Sequence, residues 1–315
     1  ALAECEFKQG DKLEAKNMLF DLMDRLGSDN PEIPNLLKKL NDWNELLIDE
    51  YINKDRTLED DRNLGWCYLQ INEPDKAIDI LNQREGHIEQ DAYDYHNLYG
   101  KSLMALSRYN EALRHIQFVN TYIETLIDDG SKKTHRRIQQ KRVQKCVLGE
   151  CYMFAELYEE AKEIFEEICK EKEDLESLLN LARIEFIHVD YDKTLDYLHR
   201  ALKAFEYSPL THYWLSRTYF KMFNDRLAFE EINKAIDLDR SRLEFYTLKM
   251  DILINNKAYD AAKEILDFLN DNNISEMNIY AFYDAYLKEK TSEDKEVVLK
   301  LYREVEKRYD EGDVL

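Results

Sequence analysis

Glycine and proline are scarce in this sequence: its 315 residues include 8 glycines and 4 prolines. Since these two residue types form most tight turns, the composition leaves little material for a turn-rich β fold. The prolines all fall between segments with helical apolar periodicity, at Pro31, Pro34, Pro74 and Pro209. We therefore expect an all-α chain of long helices joined by short loops.

Long apolar runs are also missing, because no stretch of eighteen apolar residues occurs, and this excludes a transmembrane helix. The first residues, Ala1 to Cys5, lack the basic and apolar regions of a signal peptide. We therefore predict a cytoplasmic protein without a membrane partner. Because the chain does not begin with methionine, we expect it to be part of a longer protein.

Basic residues are fewer than acidic residues in this sequence. The formal net charge is −21, from 44 Lys and Arg against 65 Asp and Glu. A surface of that sign repels phosphate, which argues against general nucleic-acid binding. It is compatible with simple solubility or with attraction of a basic partner.

Motifs for catalysis or metal binding are absent as well. The five cysteines are odd in number and have no CxxC spacing, so we interpret them as core residues in a reducing compartment. The seven histidines form no HExxH motif, and the sequence contains no P-loop, nucleophile elbow or GxGxxG. We predict a non-catalytic chain with no metal and no cofactor.

What the sequence does contain is a repeat. Six residues, most of them small, are each followed twelve residues later by alanine or threonine, and successive copies start 35, 49, 33, 34 and 34 residues apart. The 49 equals one period plus an insertion of about fifteen. Glycine inside a helix costs roughly 1 kcal/mol relative to alanine, so its recurrence here indicates close approach of a neighbouring helix. The pairs are Gly65 with Ala77, Gly100 with Ala112, Gly149 with Ala161, Ala182 with Thr194, Ser216 with Ala228, and Met250 with Ala262.

The best copy reads Leu148-Gly149-Glu-Cys-Tyr152, followed by Tyr158-Glu-Glu-Ala161-Lys-Glu-Ile-Phe165. These residues resemble the tetratricopeptide repeat family, although the tryptophan that the family carries in its first helix is replaced in all six copies. The resemblance implies a right-handed α-α superhelix of about seven to eight antiparallel helix pairs. It also implies that a protein or peptide binds in the concave groove.

The register predicts a single continuous solenoid over residues 1–315. A truncated first repeat occupies 1–30. A degenerate repeat occupies 31–57, because the 62 residues from Ala15 to Ala77 fall short of the 68 that two full periods require. We interpret it as a shortened helix pair with Trp43, Leu46, Leu47 and Tyr51 facing the core. Six repeats follow over 57–270, with a basic helical-hairpin insertion around 120–146. Two capping helices are expected within 271–315, at about 276–290 and 293–310.

Repeat register also predicts the residues that line the groove. Lys101, Arg183 and Arg217 share one repeat position, and each is followed three residues later by Met or Phe. This spacing places a cation beside an apolar surface, which suits a partner segment with acidic and apolar residues. The alternative is that the aromatic residues pack on the next repeat and the basic ones pair with neighbouring acids. The predicted groove residues are Arg62, Trp66, Lys101, Met104, Phe154, Arg183, Phe186, Tyr213, Arg217 and Phe220.

A second candidate surface is the basic segment 131–145, which carries seven Lys or Arg and no acid. It is either a prong whose charges pair with nearby acids or a docking site, for an acidic protein in preference to nucleic acid. Its basic residues are Lys132, Lys133, Arg136, Arg137, Lys141, Arg142 and Lys145.

The preferred function from sequence is therefore a protein-binding scaffold. Two alternatives stay open: a regulatory receptor in which a peptide ligand acts on a domain outside this chain, and an assembly subunit that self-associates as a homo-oligomer.

Overall fold

The computed structural model describes residues 3, 7, 12–26, 32–83, 92–125, 132–272, 277–291 and 295–310. Within those ranges sixteen helices have defined bounds, and no strand is present. The all-α class predicted from the scarcity of turn residues is confirmed. The chain divides into two compact units, residues 1–164 and 165–315, and each is described by itself.

The first unit consists of helices that pack on their chain neighbours. They are α1 (Lys12–Leu26), α2 (Ile33–Ile52), α3 (Leu58–Gln70), α4 (Pro74–Asn82), α5 (Ala92–Ala105), α6 (Tyr109–Glu124) and α7 (Lys132–Phe154). The boundary with the second unit falls within α8 (Tyr158–Glu171).

The second unit continues the same pattern of short turns and helices of 13 to 16 residues. Its helices are α9 (Leu175–Ile187), α10 (Tyr191–Ala204), α11 (Pro209–Lys221), α12 (Asp225–Leu238), α13 (Leu243–Asn255), α14 (Tyr259–Asp271), α15 (Met277–Lys290) and α16 (Lys295–Asp310). The last two coincide with the predicted capping helices to within about two residues.

Short polar side chains fix where several helices begin. Thr57 and Asp60 form a reciprocal capping box at the start of α3. In the second unit, the side chains of Asp174, Ser208 and Asn224 each accept a backbone N–H three residues along. Each bond satisfies one of the four N–H groups that a helix start leaves unpaired.

The repeat register is confirmed by burial. All six residues at the twelfth position after the small residue, from Ala77 to Ala262, are fully buried. In one copy the contact is direct, because the Ser216 hydroxyl donates to the Ala228 carbonyl at 2.7 Å. In this copy the two residues twelve positions apart face each other across the helix pair.

Two helical glycines occupy close approaches. A Cβ at Gly100 would lie 2.6 Å from Ile116 Cδ1 and 3.2 Å from His115 Cβ on the following helix. A Cβ at Gly65 would lie 2.7 Å from Leu98 Cδ2, which belongs to the first helix of the next pair. The glycine positions thus serve contacts within a pair and between pairs.

The turn inside each of the six repeats places one residue in the left-handed region, seven residues after the small position. These residues are Asn72, Ser107, Glu156, Val189, Phe223 and Lys257, with φ between 58° and 63°. None of them is glycine, although glycine reaches this conformation without strain. The turns therefore form despite the side chains they carry.

Residues 31–57 differ from expectation. A single 20-residue helix, α2, replaces the predicted shortened helix pair. Trp43 and Leu47 are buried as expected, whereas Leu46, also expected in the core, is 54% exposed. The buried residues of α2 are Leu40, Trp43, Asn44, Leu47 and Ile48. Trp43 lies at one edge of the face they form, and at about 3.6 residues per turn Leu46 lies beyond that edge.

None of the helices within the described ranges combines the length and the apolar character required to cross a bilayer.

Candidate partner-binding surface

In the second unit, predicted groove residues converge on one tryptophan. The guanidinium carbon of Arg183 lies 5.7 Å from the Trp214 ring centre, and that of Arg217 lies 4.9 Å from the same ring. Arg217 also lies 5.4 Å from the Phe186 ring, which meets Trp214 edge-on at 5.6 Å. We call Arg183, Phe186, Trp214 and Arg217 the arginine–aromatic cluster.

The two arginines of the cluster differ in their polar contacts. Arg183 donates from Nη1 to Asn180 Oδ1 at 3.2 Å. Arg217 is half-buried against two rings, and no carboxylate of the described residues pairs with its guanidinium. Planar donors held on an aromatic face are suited to bidentate binding of a carboxylate.

Tyr213 and Phe220 border the cluster but are engaged in packing. Tyr213 stacks on Phe245 at 5.3 Å and meets Trp214 edge-on at 5.8 Å. Phe220 packs against a buried cluster that includes Ala228 and Ile232. For these two residues the structure favours the packing alternative.

In the first unit the predicted residues separate into different contacts. Lys101 Nζ lies 5.5 Å from the Trp66 ring, and burial lowers the pKa of Lys101. Arg62 donates to Asp94 Oδ2 at 2.9 Å, which is the acid-pairing alternative. Met104 packs against the buried cluster around Leu103 and Ile116.

Phe154 is the most exposed of the predicted groove residues in this unit. It is 43% exposed and stacks on Tyr109 at a centroid distance of 5.0 Å. The structure thus brings Trp66 and Lys101 together, whereas Arg62, Met104 and Phe154 make the separate contacts described above.

Trp214 was missed by the sequence analysis. It lies two residues before the small position Ser216, whereas the predicted groove residues lie three before, one after, four after or, for Phe154, five after the small position. Its ring meets Arg183 from the preceding pair, so the contact arises between repeats, which spacing within one repeat does not reveal.

Two family models match the sequence. One describes subunit 3 of the anaphase-promoting complex, or cyclosome, and matches residues 41–119. The other describes the tetratricopeptide repeat and matches residues 145–175, which contain the best copy found above. The chain therefore contains tetratricopeptide repeats.

Three solved structures resemble this chain over nearly its whole length. A tetratricopeptide repeat protein from Parabacteroides merdae has a TM-score of 0.53 at 16% identity, covering 96% of this chain and 95% of its own. The Cut9–Hcn1 hetero-tetramer of the anaphase-promoting complex gives 0.54 at 13%, covering 94% and 56%. The human IFIT1 dimer with a capped RNA, m7Gppp-AAAA, gives 0.52 at 15%, covering 97% and 75%. At these identities the likeness shows the fold alone.

No curated protein matches the sequence.

The predicted basic insertion corresponds to a lengthened first helix. α7 has 23 residues, against 13 or 14 in the other first helices of the six repeats. Lys141 Nζ donates to the Glu124 backbone carbonyl at 3.3 Å, and Lys145 Nζ lies 3.8 Å from Glu124 Oε1. The contact between Lys145 and Glu124 favours the prong whose charges pair with nearby acids.

Most of the basic patch lies outside what can be described. Arg142 is half-buried, whereas the side chains of Lys132, Lys133, Arg136 and Arg137 lie outside the described residues. The docking role of this patch stays a prediction.

The two histidines at equivalent repeat positions both meet a residue nineteen positions later. His96 Nδ1 lies 2.8 Å from His115 Nδ1 on α6. His212 Nδ1 lies 2.6 Å from Glu231 Oε2 on α12. Both histidines thus contact the second helix of their own pair.

The four cysteines within the described residues carry no disulfide. Cys67, Cys151 and Cys169 are buried, and burial raises the pKa of all three thiols. They therefore behave as neutral core side chains rather than as nucleophiles.

Proposed function

We propose that this tetratricopeptide repeat protein is a non-catalytic scaffold, and that the arginine–aromatic cluster of the second unit holds an acidic and apolar segment of a partner protein. The observation that carries the proposal is Arg217, whose guanidinium lies close to the Trp214 and Phe186 rings without a carboxylate from the described residues. The fold supports it, because tetratricopeptide repeats act generally as protein-interaction scaffolds.

The physical basis is that an arginine packed against two rings has already lost part of its side-chain freedom. Arg217 is half-buried beside Trp214 and Phe186, so less side-chain entropy is lost when a carboxylate binds. Arginine and tryptophan are also the residue types most often found at binding hot spots. An apolar residue next to the acid would cover the exposed parts of the rings.

The test begins with a selection of random displayed peptides on the parent protein. We expect an enriched consensus that contains Asp or Glu next to a large apolar residue. A basic or wholly apolar consensus would contradict the proposal.

Affinities for the selected peptide then locate the site. Arg183→Ala and Arg217→Ala should each weaken binding by about 1 kcal/mol or more, which is about fivefold or more. Arg217→Lys should weaken it as well, since it keeps the charge but loses the planar donors.

Two exposed residues of the same unit provide matched controls. Arg226, which is 82% exposed on α12, and Lys263 on α14 should be replaceable by alanine without loss of affinity. Phe220→Ala is interpretable only beside a melting curve, because Phe220 also packs on the core. Unchanged binding in both cluster variants would place the partner on another surface.

A further inference from the structure

A cavity of about 170 Å³ lies in the first unit, between α1, α2 and α3. Much of its wall is apolar or aromatic and includes Phe20, Leu47, Tyr51 and Trp66. An engineered apolar cavity of about 150 Å³ binds one benzene molecule. The volume therefore suits one ring-sized group and is too small for a folded segment.

One wall of this cavity carries a buried cation. Lys16 is only 5% exposed, and its Nζ donates to Cys67 Sγ at 3.6 Å. No carboxylate of the described residues contacts this ammonium group. Cys67 is itself buried and its thiol pKa is raised, so it is a neutral neighbour and supplies no counter-charge.

A charged ammonium group that is buried without a counter-charge destabilises the folded state. Burial penalises the charged form of lysine unless an anion or several hydrogen bonds compensate, and burial lowers the pKa of Lys16 accordingly. An anion that enters the cavity would supply the missing charge.

A second polar group is also unsatisfied. Gln70, on α3, has a buried side-chain oxygen with no hydrogen-bond partner among the described residues. Asn63, in contrast, is engaged with the Tyr51 hydroxyl. The wall therefore offers one cation and one free acceptor, the latter suited to a hydroxyl on the ligand.

We propose that this cavity binds a small organic acid, with its single carboxylate on Lys16 and a ring-sized apolar body against Phe20, Tyr51 and Trp66. A ring hydroxyl that reaches Gln70 would add a second point of recognition. The site belongs to the first unit and does not depend on the arginine–aromatic cluster of the second.

Calorimetric titration at constant ionic strength tests the proposal, with benzoate as the probe. We expect saturable binding in the range of about 1 mM, tighter binding for at least one hydroxybenzoate isomer, and at least about tenfold weaker binding for benzamide, which has the same shape without the charge. Equal binding of benzoate and benzamide, or no benzoate binding up to about 50 mM, would overturn it.

The matched variants are Lys16→Met and Lys76→Met. Methionine keeps most of the length of Lys16 and removes its charge, so the unliganded variant should melt at a higher temperature and bind benzoate at least about tenfold more weakly. Lys76 is an exposed lysine paired with Glu73, and its variant should bind as the parent does. Parent-like binding by Lys16→Met would refute the site.

A measurement on the parent protein covers the case in which the Lys16 variant fails to fold. Nuclear Overhauser contacts should connect the benzoate ring protons with the rings of Phe20 and Trp66. Contacts to other aromatic residues only would place the acid elsewhere and overturn the assignment.

Discussion

Two helix pairs carry different side chains at the same two repeat positions. One is the pair of α5 and α6, and the other is the pair of α11 and α12. In the first, His96 meets His115; in the second, His212 meets Glu231. The partners are nineteen residues apart in both cases, so repeat geometry decides which positions meet. The identity of the partner decides at which pH the contact is stable.

The histidine pair is satisfied only when it is uncharged. Arg114 Nε donates to His115 Nε2 at 3.0 Å, so a neutral His115 carries its proton on Nδ1 and donates it to His96 Nδ1. Burial, His96 and Arg114 together lower the pKa of His115 from 6.5 to about 4. A proton added to His115 Nε2 would be repelled by the Arg114 guanidinium and would remove the acceptor of its hydrogen bond.

The pair of His212 and Glu231 is held differently. Burial alone would raise the pKa of Glu231, but hydrogen bonds from His212 and Lys234 outweigh it and lower that pKa below 4.5. The carboxylate form is therefore the one that the folded state prefers.

The largest difference between the two pairs should appear on acidification. Because the folded pKa of His115 lies below the unfolded value, its stabilisation is complete above pH 6.5 and is lost as the pH falls towards 4. The shift corresponds to a loss of up to about 3 kcal/mol. The contribution of Glu231 persists until the pH falls below 4.5. The free energy of local opening, measured by hydrogen exchange, should be lower at pH 5 than at pH 7 in α5 and α6. In α11 and α12 it should be the same at both pH values.

His115→Gln is the matched control for that experiment. It removes the titrating group, so the decline in α5 and α6 between pH 7 and pH 5 should largely disappear. An undiminished decline would show that other groups carry the acid sensitivity.

A smaller effect should come from the small-residue position of the same two pairs. Gly100→Leu would force a side chain against Ile116 and His115, where even a Cβ lies within 3.2 Å of both. Overpacking of this kind costs about 1–3 kcal/mol, and the better helix propensity of leucine returns at most about 1 kcal/mol. Urea denaturation should show a net loss of about 1–2 kcal/mol. A gain in stability would show that Ile116 repacks freely.

The smallest effect is expected at the equivalent residue of the other pair. Ser216→Ala fills the same space and removes only the hydrogen bond to the Ala228 carbonyl. That carbonyl also accepts its helical bond within α12, so the loss should be about 1 kcal/mol by the same denaturation assay. A neutral result would show that the hydroxyl only fills space.

Much of the fold could be predicted because the repeat positions are set by packing. The small residues and their partners twelve positions later were placed correctly, since each must fit where two helices touch. Residues 31–57 were predicted wrongly because the short interval between Ala15 and Ala77 was attributed to a shortened helix pair, when one continuous helix, α2, fills it.

The contacts at the two candidate sites were harder to predict. Trp214 is shared by arginines on successive first helices, and Lys16 meets Cys67 across 51 residues of sequence. Both depend on how one helix pair lies against its neighbour. Periodicity within a single repeat carries no information on that arrangement.

Because glycine is scarce, the turn residues carry a free-energy cost in the folded state. Left-handed backbone costs an L-residue about 1–2 kcal/mol, and Val189 and Phe223 adopt it with bulky side chains. Phe223 is 91% exposed, so glycine there would relieve the strain without loss of packing, for a net gain of about 0.5–1 kcal/mol after the added freedom of the unfolded chain. The turns are thus sites where the melting temperature of the repeats can be adjusted while the faces that carry Arg217 and Lys16 keep their residues.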